Sequence, residues 1–332
     1  MEVAFTEHVW VTDESSVGAV RRTALMAAQR LDFNETQSGE LALLATEASR
    51  NVLVHGRGGQ VVLTGCRQRN DASARILAMD KGPGIQNLAQ AMSDGYSTAG
   101  TMGGGLGAMK RMAGALEIFS GRGGTIVFVQ VGTAASAAAL PVAGMAVPYP
   151  GERFCGDAWI CDCGPERTVS LLVDGLGHGW EASEAAQEAV ATFRKRMQSH
   201  PGEILTYIHE ALKKTRGAVA AVAEIRPREG TLVYAGVGNI SAVVLSRGAS
   251  RSLVSHNGTL GVATSRVQEF KSEWPADGVL VLHSDGLHSR WDLSASLYPG
   301  LLARHPALIG GALLRDFRRE RDDASVVVVK AA

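Results

Sequence analysis

Four times in the second half of the chain, an apolar run is bounded by an aspartate. These are Asp157 in "RFCGDAW", Asp174 in "LLVDGLGHG", Asp285 in "LVLHSDGLH" and Asp322 in "RDDASVVVV". Acidic side chains are depleted inside strands. A single "DG" after a strand is an ordinary turn, but four such boundaries point to one destination. Carboxylates brought together repel, and cations relieve the repulsion. A donor set made of oxygens favours the hard ions Mg²⁺ or Mn²⁺, and a pair of such ions activates water toward phosphorus. The half must therefore fold so that several strands deliver their ends to one place. Strands are expected near 156–162, 168–174, 217–225, 231–235, 240–246, 279–284 and 325–330, with helices over 180–197 and 202–214. Two packed sheets flanked by helices suit this pattern.

The first half alternates differently. Strands are expected at 2–11, 60–67, 74–80, 116–120 and 124–131, and helices at 14–31, from Asn34, and at 105–115. Asn34 with Gln37 forms a capping-box pattern. Behind it, Leu41, Leu44, Ala45, Ala48, Val52 and His55 recur at helical steps, so this stripe faces a core and His55 reads as structural. Three further features fall in order. Glu47 and Asn51 lie four apart on one helix face. Asp80 ends a strand before Gly82 and Gly84. Gly103, Gly104, Gly105 and Gly107 directly precede a helix. A glycine-rich loop opening a helix presents free N–H groups to phosphate oxygens and lets backbone approach a ligand closely.

At 332 residues the chain exceeds what one core usually serves. Residues 1–133 and 150–332 read as two domains. The small-residue, proline-containing stretch 134–149 reads as their linker. Lys plus Arg (33) equals Asp plus Glu (33), so no net charge draws the chain to nucleic acid or to an anionic membrane. No leader pattern or membrane-length apolar run stands out, and a cytoplasmic location is expected. Cys66, Cys155, Cys161 and Cys163 lack a second closely spaced pair, so reduced thiols are expected rather than zinc.

The first-half motifs resemble the GHKL (Bergerat) ATP-binding domain of histidine kinases and anti-sigma-factor kinases, and "DGYSTAGTMGGGLGAMKRMAGALEIFS" resembles RsbT-like serine/threonine switch kinases of the stressosome. The resemblance covers residues 1–131 and implies an α/β sandwich that binds ATP and Mg²⁺. It implies that Asn51 coordinates Mg²⁺ and that Asp80 accepts from the adenine amino group with Thr125 in support. Gly82, Gly84, Gly103, Gly105 and Gly107 would line the nucleotide, and Glu47 would be general base for a protein hydroxyl. The second half, over residues 150–330, is similar to the SpoIIE-type branch of protein phosphatase 2C, with "GVGNI" at Gly236–Ile240 resembling RsbX-like phosphatases. That implies an αββα sandwich holding two Mn²⁺ or Mg²⁺. Asp174 would bridge the ions as the central catalytic ligand, with the Gly175 carbonyl on one. Asp285 and Asp322 would hold the other, and Asp157 would contact the second through water. Asp323 is set aside, and the role of His178 is left open. Taken together, the resemblances imply an α+β chain that is both kinase and phosphatase for STAS-domain proteins, with a further switch partner on the kinase half. The alternative is a phosphatase whose ATP-binding half is a regulatory module without kinase activity.

Overall fold

In the computed structural model, helix α1 (Glu14–Arg30) begins where Asp13 accepts from the Ser16 amide at 2.9 Å and the Ser16 hydroxyl accepts from the Asp13 amide. Helix α2 (Glu35–Val54) begins with the expected Asn34–Gln37 box. These reciprocal bonds satisfy amides that a helix start otherwise leaves unpaired. Both helices lie on one face of an antiparallel sheet made of β1 (Glu2–Val11), β2 (Gly59–Gln68), β3 (Asp71–Asp80), β4 (Ala115–Gly121) and β5 (Gly124–Gly132), ordered β1-β2-β3-β5-β4. Alternate residues Val61 and Leu63, Ile76 and Ala78, and Val127 and Val129 meet Leu41, Leu44, Ala45 and Ala48 in a buried core. Short helices α3 (Leu88–Ala91) and α4 (Leu106–Met112) sit between β3 and β4 in sequence.

The structure describes residues 2–68, 71–92, 105–121, 123–132, 142–246, 249–264 and 267–331. Gly103, Gly104 and the first half of the expected linker, 134–141, lie outside them. The chain divides into two compact units, Met1–Ala139 and Leu140–Ala332.

The second unit runs β6 (Val142–Val147), β7 (Asp157–Cys163), β8 (Thr168–Gly175), α5 (Trp180–Arg196), α6 (Pro201–Ala211), β9 (Ala218–Arg226), β10 (Thr231–Val237), β11 (Ser241–Ser246), β12 (Ala249–Leu253), β13 (Gly258–Thr259), β14 (Ala263–Thr264), β15 (Phe270–Glu273), β16 (Val279–His283), α7 (Pro306–Phe317) and β17 (Ala324–Lys330). Two five-stranded sheets form, ordered β15-β10-β9-β8-β7 and β12-β11-β16-β17-β6. Helices α5 and α6 cover the first, α7 covers the second, and β6 and β17 pack against β7. The layers therefore run helix, sheet, sheet, helix.

One expectation is corrected here. The stretch 134–149 is not linker throughout, because Val142–Val147 is strand β6, buried at every position and paired antiparallel with β17. Its small residues are needed for close packing. A Cβ on Gly144 would sit 2.3 Å from the Trp159 ring. Among the described residues no helix is long and apolar enough to cross a membrane.

Candidate active sites

In the first unit, Asp80 closes β3 with its carboxylate fixed from two sides. Its Oδ1 accepts from the Gly82 amide at 2.8 Å and from the Thr125 amide at 3.1 Å. Thr125 thus supports Asp80 through its backbone, while its hydroxyl pairs with Ser120 Oγ at 2.9 Å. Ser120 Oγ also accepts from the Ile85 amide at 2.7 Å, tying the loop after β3 to the β4–β5 hairpin. Backbone crowds this carboxylate closely. A Cβ on Gly56 would lie 2.3 Å from that of Asp80. Gly84 adopts φ +76°, and a side chain there would meet the Gly121 carbonyl.

These groups open onto a cavity of about 410 Å³ lined by Glu47, Asn51, His55, Asp80, Gly84, Ile85, Gly105, Leu106, Thr125 and Val127. That volume suits a nucleotide-sized ligand. The apolar side chains give a base something to rest on, and the carboxamide of Asn51 and carboxyl of Glu47 supply oxygens. Burial raises the Glu47 carboxyl above its usual range, against a smaller opposing pull from Arg50. Gly105 caps α4, and Gly107 is buried inside it and does not line the cavity. His55 departs from expectation. It is the exposed C-terminal cap of α2 and lines the cavity, because the helix ends there and its stripe no longer continues toward the core. Gly56 and Ser120 were missed by sequence reasoning; only the "HG" at a helix end hinted at the former.

In the second unit, β7 and β8 pair so that Asp157 stands directly opposite Asp174. Asp285 follows β16 and Asp322 precedes β17, neighbours in the other sheet. Each sheet therefore contributes two acids. Asp174, Asp285 and Asp322 line an open pocket of about 440 Å³ with Leu176, Gly177, Asn239 and Asn257. Asp157 lies behind it, 3% exposed. One Asp157 oxygen accepts from Ser284 Oγ at 2.6 Å, and that hydroxyl accepts from the Ser325 amide at 3.0 Å. Among the described residues the other Asp157 oxygen is buried without a hydrogen-bond partner.

Burial pushes the Asp174 carboxyl far up, and the charges of Asp157, Asp285 and Asp322 push it further. Burial and Asp285 likewise raise Asp322. Among the described residues no three acidic, His or Cys side chains close to the spacing of a single ion's ligand set. The acids instead share a field and an opening, which fits hard cations that keep several waters of their own. A buried carboxylate oxygen and a cluster of like charges are what such cations would satisfy. Asp323 is spent elsewhere. Its two oxygens accept from the Tyr149 amide at 2.6 Å and the Gly156 amide at 2.9 Å, leaving Asp322 as the member of the pair that faces the pocket. Gly175 ends β8 against α5, where a Cβ would lie 2.2 Å from the Ala182 carbonyl oxygen.

Asn239 lies in the "GVGNI" stretch that carries the RsbX-like resemblance, but sequence reasoning assigned it no role of its own. Its amide donates to Asp285 Oδ2 at 2.8 Å. His178 does not line the pocket. Its Nδ1 is 3.0 Å from Glu152 Oε1, and its ring stacks on Tyr149 at 4.9 Å. His283 is a buried prop. Trp291 donates to its Nε2 at 3.1 Å, so Nδ1 carries the proton given to the Ser284 carbonyl, and burial keeps the ring neutral.

Known proteins match both units. A family model described as Stage II sporulation protein E (SpoIIE) matches residues 164–332, and one described as Histidine kinase-like ATPase domain matches residues 10–131. The chain is 30% identical over 104 residues to Serine/threonine-protein kinase RsbT of Bacillus subtilis (strain 168), covering 31% of this chain and 78% of that protein. It is 24% identical over 143 residues to Phosphoserine phosphatase RsbX of the same organism, covering 42% of this chain and 70% of that protein. A crystal structure of RsbX in complex with magnesium shares the fold at a TM-score of 0.51, with 18% identity over 57% of this chain and 94% of that chain.

Proposed function

The chain belongs to the Stage II sporulation protein E family, carrying a histidine kinase-like ATPase domain ahead of it, and on that premise we propose that it both adds and removes phosphate on serine or threonine of STAS-domain proteins in a partner-switching pathway. The second unit is the protein phosphatase, of the protein phosphatase 2C type. Asp174 and the Gly175 carbonyl, with Asp157, Asp285 and Asp322, would hold two Mn²⁺ or Mg²⁺. These ions, when bound, supply an activated water and neutralise charge at the phosphoryl group. The protein's own part is preorganisation. Ser284 fixes Asp157, Asn239 fixes Asp285, and the backbone amides that occupy Asp323 keep it out of the pocket.

The first unit is the kinase. Asp80, held by the Gly82 and Thr125 amides, would receive the adenine amino group, and Asn51 would hold Mg²⁺. Glu47 takes the proton of the attacking hydroxyl, so that oxygen bonds to the γ-phosphorus and ADP leaves. A carboxyl raised by burial is a better base than a solvated one, and a module that only bound ATP would have no use for it. A further switch partner would dock on this unit.

The convergence of strand-end carboxylates from both sheets on one pocket carries the reading. The test is incubation with Mg-ATP, Mn²⁺ and STAS-domain proteins. Asp174→Asn is expected to lose at least about a hundredfold in phosphate release while transfer persists, and Glu47→Ala the reverse. Absence of both transfer and release from the wild-type chain would overturn it.

A further inference from the structure

Beside the acidic pocket the second unit carries an aromatic pair in water. Trp180, the first residue of α5, is 61% exposed, and Phe154 is 37% exposed; their rings meet edge to face at 5.0 Å. Leu176, 40% exposed, lines the pocket itself and lies four residues before Trp180. The two stretches that bear this ledge are the direct flanks of the cross-strand aspartates. Glu152–Phe154 runs into Asp157, and Leu176–Trp180 runs out of Asp174. They are bolted together near the pocket. The Gly175 amide donates to the Gly156 carbonyl at 3.0 Å, and His178 meets Glu152 at 3.0 Å. The ledge is therefore fixed in place relative to the acids.

We infer that Phe154, Leu176 and Trp180 dock the protein segment that flanks a phosphoserine or phosphothreonine on its way into the pocket. The inference rests on the phosphatase reading of that pocket. Three observations select this occupant. Leu176 lines the pocket and stands four residues before Trp180, so the same short stretch forms the pocket wall and carries the ledge. Exposed tryptophan beside a second aromatic is the composition of protein-binding hot spots rather than of small-molecule rims. The rim carries both signs, Glu152 and Glu181 beside Arg153 and Arg216, although the pocket is acidic. The Arg153 guanidinium lies 5.6 Å over the Phe154 ring, and Arg216, 3.1 Å from Glu181, stands beside the Gly177 turn. The Arg153 guanidinium on the ledge itself complements a segment that carries a phosphate. A small phosphoester fits inside the pocket and has no need of the ledge, so the ledge is what separates protein from small-molecule substrates.

The experiment uses the full chain with Trp180→Ala, Phe154→Ala and the conservative Trp180→Phe. Hydrolysis of para-nitrophenyl phosphate is compared with that of a serine-phosphorylated STAS-domain protein. Binding of that phosphoprotein is also measured by calorimetry in an Asp174→Asn background, where turnover is off. For Trp180→Ala, para-nitrophenyl phosphate hydrolysis should stay within about twofold of wild type. The kcat/KM for the phosphoprotein should fall about tenfold through KM, and its binding by a similar factor, with Trp180→Phe recovering most of both. Unchanged phosphoprotein binding in Trp180→Ala overturns the inference, as does an equal fall for both substrates. Loss of a self-associated form in sedimentation, with binding unchanged, overturns it in favour of a second copy of the chain. If the wild-type chain hydrolyses neither substrate while Trp180→Ala still weakens binding, the phosphatase reading fails and the docking role stands.

Discussion

The single hydrogen bond from Asn239 to Asp285 decides where one carboxylate of the pocket points. Without it, Asp285 is free to turn toward water and must be ordered when a cation arrives. Groups that orient ligands in this way typically contribute about 10–100-fold in metal affinity. Asn239→Ala is therefore expected to weaken Mn²⁺ binding at least about tenfold in a calorimetric titration, with the unfolding temperature of the metal-free protein nearly unchanged. In the other unit, Gly56→Ala places a methyl 2.3 Å from Asp80 Cβ, so the Asp80 strand end must shift. Overpacking of this kind costs about 1–3 kcal/mol, and here the strain falls on the carboxylate that faces the cavity. A lower unfolding temperature together with at least tenfold weaker ATP binding is expected, and a nucleotide titration checks it. The acids of the pocket were legible in the sequence because a carboxylate at the end of an apolar run is an anomaly. Asn239 and Gly56 were not, because Asn and Gly in a turn are what any turn contains, and only the fold reveals which turn abuts which acid. His55 was misread for a related reason: a periodic stripe does not announce the turn at which its helix stops.

At the scale of elements, the β7–β8 turn is anchored by a buried charge network. Arg167 donates to the Met197 and Ser199 carbonyls beyond α5 at 2.6 and 2.8 Å, and to Glu224 on β9 at 2.7 Å. Arg226 grips the other oxygen of Glu224 at 2.7 Å. Burial alone would raise the Glu224 carboxyl, but the hydrogen bonds from Arg167 and Arg226 outweigh it and hold the group below its ordinary value of 4.5. A carboxyl depressed in the folded state binds fewer protons there than in the unfolded chain. Its contribution is complete above pH 4.5 and is lost as pH falls through the folded value. Arg167→Ala should cost about 2 kcal/mol at pH 7, less than complete rupture of a buried pair because Arg226 remains. Denaturant unfolding at several pH values should show the gap to wild type closing below about pH 4.5. Most elements with alternating or helical periodicity were legible, including the two strands that carry Asp157 and Asp174, though not their pairing. Strand β6 and helix α7 were not, because both are buried nearly all round. In α7 every residue from Pro306 to Arg315 is buried, so no polar face marks its period. Gly310 of α7 lies against Met145 of β6, and the small residues that make this approach possible are the ones that mimic a linker in sequence.

For the whole molecule, the proposed function places two opposed reactions on one chain. A protein substrate still held by one unit is at high effective concentration for the other, whatever the bulk dilution. If both units act on the same hydroxyl, ATP consumption becomes catalytic in the STAS-domain protein, since each phosphate removed regenerates an acceptor. If they act on different hydroxyls, consumption stops when every acceptor is filled. Asp174→Asn separates these cases because it blocks regeneration without touching the groups proposed for phosphate transfer. With this variant, ADP formation should stop near one equivalent per acceptor site. The wild-type chain, given Mg-ATP, Mn²⁺ and the same protein, should continue well beyond one equivalent, at a rate set by the slower unit. Following ADP and protein-bound phosphate in one reaction makes the distinction directly. A wild-type chain that also halts at one equivalent, while still releasing phosphate from a separately phosphorylated protein, would mean that the two units are aimed at different phosphosites. Fusion would then order two signals rather than set the level of one.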